Sequence, residues 1–323
     1  MKYQGLDRPV TLFGKKKRAS TLLLKELFRS LPIDAEKHDT IIRCIVTPTG
    51  IWKETRKGRF TTLDQIVLEI LRSRYRIGKR IIVADLAASS GITSVEFYKV
   101  LISAFPVDFI ATDIWCEAIS IQARRLNWTV VVDPNGNPLQ YVVGRFVLPA
   151  QGGESYFYPV NIALMYLCRQ FIWPKAFSIF EKYHPCEHNY FKTTTIEGYK
   201  LTKLPLLSFE CMELMQSCAN FRFELRDIME PFPYRVDVIR ALNIITPSHF
   251  DEGHLRIAIR NCINALNPAG LLILGWDSAG TFAEVKATVY LRQERNLEVI
   301  RTINGGCGIE HLVDKVSSKL IKL

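Results

Sequence analysis

The chain has 323 residues, of which 48% are hydrophobic, enough to bury a large core and to exclude an intrinsically disordered protein. That length holds two domains, or one elaborated α/β domain with additions. The net charge of +10 is unevenly placed: residues 1–80 contain 19 Lys and Arg against 8 Asp and Glu, and the remaining 243 residues balance at −1.

Eight cysteines are scattered without a CxxC pair, and Met1-Lys2-Tyr3-Gln4-Gly5 lacks the apolar segment of a signal peptide. Reduced thiols in a cytoplasmic protein are therefore expected. The excess charge defines a basic, helical N-terminal extension over residues 1–61. It is densest at Lys15-Lys16-Lys17-Arg18, just ahead of the amphipathic segment Leu22–Phe28. Such a leader attracts anionic lipid or polyanions, so residues 1–30 are assigned a peripheral membrane or polyanion contact, with a solvated leader as the plainer alternative. No nucleic-acid module is present, which disfavours nucleic acid as a partner.

Arg80–Leu86 is an apolar run of strand length that ends on Asp85 and opens into the small-residue turn Ala87-Ala88-Ser89-Ser90-Gly91. Thr93 and Glu96 have capping-box spacing, which predicts a helix starting at Thr93. A strand, a small-residue turn and a helix N-terminus form a cradle for an anionic group. Ala87, Ser89 and Gly91 stand where a dinucleotide-binding turn carries three glycines to admit a pyrophosphate. A ligand with only a carboxylate and a ribose tolerates Ala and Ser more easily. A second strand, Val107–Asp113, ends on an acid that can accept two hydrogen bonds from a ribose diol.

Trp128–Val132 and Leu139–Val143, separated by Asp133-Pro134-Asn135-Gly136-Asn137-Pro138, predict a β-hairpin. The aromatic segment Tyr156–Tyr183 follows, too short for a membrane span and read as two helices broken at Pro174. Its rings suit a lid over an apolar substrate, a membrane-interface contact, or simple core packing. His184-Pro185-Cys186-Glu187-His188 lacks a fourth ligand at finger spacing and reads as a turn, so no metal site is assigned.

Strands over Phe221–Leu225, before Asp227, and over Val236–Leu242, before Asn243, come next. A helix follows with Leu255, Ile259, Cys262, Ile263 and Leu266 on one face, then a turn at Asn267–Gly270 and a strand Leu271–Gly275. Gly305-Gly306-Cys307-Gly308 reads as a tight turn between the last two strands. Four strands thus end at Asp85, Asp113, Asp227 and Asn243 along one edge of a parallel sheet, the edge at which open α/β sheets bind ligands.

Val83–Gly91 resembles the first motif of the class I S-adenosylmethionine-dependent methyltransferases, and Ala111-Thr112-Asp113-Ile114 resembles their ribose-binding second motif. Arg226-Asp227-Ile228 is similar to their acidic adenine-side motif, and Val236–Asn243 with Ala265–Leu274 to their fourth and fifth segments. The Ala111-Thr112-Asp113 and Leu242-Asn243-Ile244 pieces are similar to the chemotaxis-receptor methyltransferases. The resemblance spans roughly residues 62–303, and the order of the motifs carries it.

What the resemblance implies is a Rossmann-like, mostly parallel seven-stranded sheet with helices on both faces, over residues 62–323 and interrupted by an insertion at 128–200. It implies S-adenosylmethionine as cofactor, bound by Asp85, Ala87, Ser89, Gly91, Asp113, Ile114, Asp227, Ile228 and Asn243. The reaction is direct in-line methyl transfer, in which alignment matters most and a base helps only a protonated acceptor. His249, Asn243 and Asp277 are the catalytic candidates, His249 as base. The acceptor expected is a small molecule, a lipid or a glycan-linked group, with residues 156–191 on its side and Arg169 or Lys175 holding an anionic end. A protein carboxyl methyltransferase and an inactive methyltransferase-like binding module are the alternatives.

Overall fold

In the computed structural model the described residues are 35–43, 53, 55–76, 78–123, 126–144, 146–150, 159–183, 190–277, 284–294 and 296–320. Lys15–Arg18, Leu22–Phe28 and the whole of residues 1–30 lie outside them, as do Tyr156–Tyr158 and His184–His188. The chain divides into two compact units, one of residues 1–54 with 115–209, the other of residues 55–114 with 210–323.

The second of these is built on a seven-stranded sheet. Helix α2 (Thr61–Arg74) precedes strand β1 (Ile81–Leu86), helix α3 (Ile92–Ile102) and strand β2 (Val107–Asp113). From residue 209 onward come α6 (Phe209–Ser217), β9 (Phe221–Leu225), β10 (Val236–Leu242), α7 (Glu252–Ala265), β11 (Leu266–Asp277), β12 (Val285–Arg292), β13 (Leu297–Ile303) and α8 (Glu310–Leu320). The sheet order is β13-β12-β11-β10-β1-β2-β9. From β11 through β9 every neighbouring pair is parallel, and β12 and β13 add an antiparallel meander. The fold is thus the expected Rossmann-like α/β sheet.

The apolar runs of β1 and β10 have the composition that a parallel strand needs when helices cover both of its faces. On one face Val83, Phe109, Val238 and Leu271 pack with Leu63 and Val67 of α2 and Val95 and Leu101 of α3. On the other, Ala84, Ile110, Ile239 and Leu272 pack with Leu255 and Ile259 of α7 and Leu312 and Val313 of α8.

Three local expectations give way. The capping box does not form: α3 begins at Ile92, and its N-cap is Gly91 in the left-handed region, without a side-chain cap. The Glu96 carboxylate instead accepts the Gly58 N–H at 2.8 and 3.0 Å. Leu266 opens β11 rather than closing the helix face, and the strand runs through Asn267–Gly270 with a register irregularity opposite Val236 and Val238. Gly305–Gly308 follow β13 and lead into α8; the last two strands are joined at residues 293–296, where Gln293 N–H bonds to the Asn296 carbonyl.

The other unit contains α1 (Ala35–Arg43), β3 (Glu117–Ala123), β4 (Trp128–Val132), β5 (Pro138–Val143), β6 (Phe146–Pro149), α4 (Pro159–Leu167), α5 (Trp173–Phe180), β7 (Thr193–Ile196) and β8 (Tyr199–Pro205). Its six strands form a fully antiparallel sheet in the order β6-β5-β4-β3-β8-β7. The expected hairpin is β4–β5. Asp133 fixes its loop by accepting N–H bonds from Asn135 and Asn137 on Oδ1 and the Asn137 Nδ2 amide on Oδ2.

The strands of this sheet run from Glu117 to Pro205, on either side of the 128–200 segment read from the sequence as an insertion. The aromatic helices are one continuous run, not a pair broken at Pro174. A π-helical segment, Cys168–Ile172, joins α4 to α5, and Pro174 sits in the first turn of α5, where its missing N–H is tolerated. Trp173, Phe180 and Tyr183 pack onto a core with Trp128 and Tyr141, whereas Tyr166 and Phe171 are exposed. Among the described residues no helix is long and apolar enough to cross a membrane.

Gly91 is doubly constrained. Its φ is +78°, and a Cβ there would lie 2.5 Å from the Cys211 sulfur. Gly91→Ala should therefore lose about 2–5 kcal/mol of stability, from left-handed strain plus overpacking, read as a lower midpoint in urea unfolding.

Candidate functional site

Because β9, β2, β1, β10 and β11 are parallel, their carboxyl ends share one edge, and the loops that leave it carry nearly all the residues singled out from the sequence. The turn after β1 is the most constrained. Ala87, Ser89 and Gly91 all have positive φ, at 55°, 57° and 78°, so the turn keeps a glycine-type backbone path with only one glycine. The Gly91 N–H bonds to the Ala88 carbonyl and the Ala88 N–H to Thr112 of β2. The side chains of Ala87 and Ser89 are half-buried, whereas Ala88 and Ser90 are buried.

Asp113 closes the turn from the neighbouring strand: its Oδ2 accepts the Ser89 N–H at 2.7 Å. Ile114, which follows it, is exposed. Two hydroxyls at this edge, Ser90 Oγ and Thr112 Oγ1, are buried without a hydrogen-bond partner among the described residues. Buried polar atoms are rarely left so, and such orphans mark places where a missing group belongs.

Asp85 faces inward. Its Oδ1 accepts Arg240 Nε at 2.8 Å, and its Oδ2 accepts both Arg240 Nη2 at 2.6 Å and Ser94 Oγ at 2.5 Å. Arg240 also donates to Asp64 Oδ1 at 2.7 Å and to the Thr93 carbonyl at 3.0 Å, and its guanidinium lies 4.3 Å from the centre of the Phe97 ring. With its carboxylate committed in this way, Asp85 acts on the edge through the turn that follows it.

The remaining candidates divide. Asn243, itself at φ 59°, accepts the Asp277 N–H on Oδ1 at 2.9 Å and donates its own N–H to Gly275, so the tips of β10 and β11 are locked together. Both Asp277 oxygens lie 2.7 Å from Arg59 nitrogens, a bidentate pair that commits the carboxylate to an ion partner. Asp227 caps its own turn by accepting the Met229 N–H, and the Ile228 carbonyl accepts Asn261 Nδ2. His249 lies exposed in the loop after β10; its N–H bonds to the Thr246 carbonyl.

Arg240, Asp64, Ser94 and Arg59 escaped the sequence reading. A signal for one of them was present: an arginine flanked by the apolar residues Val238-Ile239 and Ala241-Leu242 must find carboxylates if the strand is buried.

No family model matches the chain, and no curated protein matches it in sequence. Among solved structures, the chain is similar to CalS10, an S-adenosylmethionine-bound amino pentose methyltransferase from Micromonospora echinaspora, at 11% identity and a TM-score of 0.31 over 76% of this chain and 69% of that one. It is also similar to an S-adenosylmethionine-dependent methyltransferase from Clostridium acetobutylicum ATCC 824, at 9% identity and a TM-score of 0.33 over 82% and 81%. A third is the N-methyltransferase NodS from Bradyrhizobium japonicum WM9 with S-adenosyl-L-homocysteine, at 10% identity and a TM-score of 0.30 over 75% and 70%.

Burial pushes the Asp64 carboxyl up from 3.8 to about 7, against the opposing pull of Arg240 and with smaller pushes from Asp85 and Glu96. The folded chain therefore holds this proton through a pH range in which the unfolded chain has released it. Asp64 contributes stability that is complete below 3.8 and lost as pH rises through about 7. Unfolding curves of wild type and Asp64→Asn between about pH 4 and 8 should diverge accordingly, with the wild type losing ground relative to the variant as pH rises. Parallel curves would show that Asp64 titrates normally.

Proposed function

We propose that this chain is an S-adenosylmethionine-dependent methyltransferase, with its cofactor site along the carboxyl edge of β9, β2, β1 and β10. The observation that supports it most is the turn at Ala87, Ser89 and Gly91, whose three left-handed residues keep the backbone path of a nucleotide-binding glycine turn. The orphaned Ser90 and Thr112 hydroxyls support a polar ligand at the same edge. When bound, the cofactor supplies a methyl group already activated on a sulfonium.

The chain's own part is then mainly positioning. In this reading Asp113 would hold the ribose, Ile114, Asp227 and Ile228 would hold the adenine, and Asn243 would stand toward the methyl end. The acceptor we assign is a small molecule or lipid-like group, a class that the exposed apolar side chains of Ile162, Tyr166, Leu167 and Phe171 suit. A second reading, a module that binds cofactor without transferring its methyl, draws on the Asp277–Arg59 pair, which withdraws one acid–base candidate.

Calorimetry with S-adenosylmethionine tests the assignment. The wild type should bind, and Asp113→Ala should lose a charge-assisted contact of roughly 1.5–3 kcal/mol, about ten- to a hundredfold in affinity. No binding by the wild type at millimolar cofactor would overturn the reading. On the acceptor side, Phe171→Ala removes an exposed ring, so it should lower turnover while cofactor affinity stays within about threefold. Trp173 packs against the core of its unit, so its replacement would mix packing with turnover.

A further inference from the structure

The turn at residues 87–91 presents a physical problem. Ala87 and Ser89 carry Cβ atoms in a region of φ that only glycine enters freely, so something outside the turn must hold them there. The flanks of the turn lead to one group. Asp85, two residues before Ala87, is paired in register with Arg240 of β10 and grips its guanidinium through both carboxylate oxygens. Thr93, two residues after Gly91, gives its carbonyl to the same Nη2 that reaches Asp85. Ser94 ties the first turn of α3 back to Asp85. Asp64 of α2 takes the remaining arm, Nη1. The guanidinium is fully buried with Phe97 and Phe60 near its faces, so the fork has little freedom to turn.

We infer that Arg240 is a positioning residue: by holding the strand before the turn and the helix after it on one rigid fork, it imposes the left-handed path that glycines at 87 and 89 would otherwise allow. This rests on the reading that the turn holds the cofactor. A planar, bidentate fork is needed for the task, because a lysine ammonium reaches the same carboxylates as a point charge without fixing their relative orientation.

The test is a glycine rescue. Arg240→Lys should speed amide hydrogen exchange at residues 87–91 more than elsewhere in the sheet and weaken S-adenosylhomocysteine binding about tenfold. Adding Ala87→Gly and Ser89→Gly, which relieve the strain, should bring affinity to within about threefold of that of the same glycine pair with Arg240 intact, without restoring the urea midpoint. Uniform exchange across the sheet, or glycines that fail to rescue binding in a folded Arg240→Lys protein, would make Arg240 an ordinary core ion and sink the inference. Should Arg240→Lys not fold, Asp64→Asn carries the same comparison, because it loosens one arm of the fork and keeps an oxygen acceptor. A wild type that binds no S-adenosylhomocysteine would refute the cofactor reading, and the exchange measurement would still decide whether the fork holds the turn.

Discussion

A guanidinium has been taken out of water in the middle of a parallel sheet, and the arrangement of one unit follows from what that requires. Burying an ion is costly unless partners replace its hydration, and Arg240 recovers the loss through two carboxylates, a backbone carbonyl and an aromatic face. Those partners come from α2, β1 and α3. Shifting any of these by one residue would strand a charge in the core, so the cluster selects one register where apolar packing alone would accept several. Burial, with a smaller push from Asp85, raises the proton affinity of Asp64, the second carboxylate at this single arginine.

The same logic recurs more weakly at the neighbouring strand tips. Asn243 and Asp277 are linked by a side chain to backbone bond, and Arg59 neutralises the acid from the segment that leads into α2. Polar groups at this edge are thus mostly tied to one another before any ligand arrives. Such an edge is stiff, which suits a reaction in which alignment matters more than proton transfer. It also means that a carboxylate at a strand end is not by itself a base; its partners decide that.

The strand runs, their order and the hairpin at Asp133–Asn137 were legible because each is written in local pattern: apolar length, a polar tip, turn residues at fixed spacing. The capping box failed for a local reason too, since a left-handed Gly91 takes the position that Thr93 was expected to fill. What local pattern could not supply was the partner of a buried charge. Arg240 lies 155 residues from Asp85 and 176 from Asp64, and nothing in the sequence around either acid names that arginine as its partner. The breadth of the second sheet was hidden for a related reason: β3 and β8, its first and last strands along the chain, pair across the whole segment between them. The site residues at the strand tips were found because topology alone gathers them, whereas their hydrogen-bond commitments emerge only from the packed structure.

That pairing of β3 with β8 bears on how the chain accommodates so large an excursion between β2 and β9. Glu117 stands opposite Pro205, Lys203 is ion-paired with Glu117 at 2.7 Å, and the Leu206 N–H bonds to the Cys116 carbonyl. The excursion is therefore cinched at its neck, leaving and returning through adjacent strands. Closing a long segment costs little more than closing a short one, and here the segment carries its own closure. Strands, loops and helices beyond the neck can be lengthened, shortened or exchanged with no register change required of the seven-stranded sheet, so the two units can vary in sequence at different rates on a single chain.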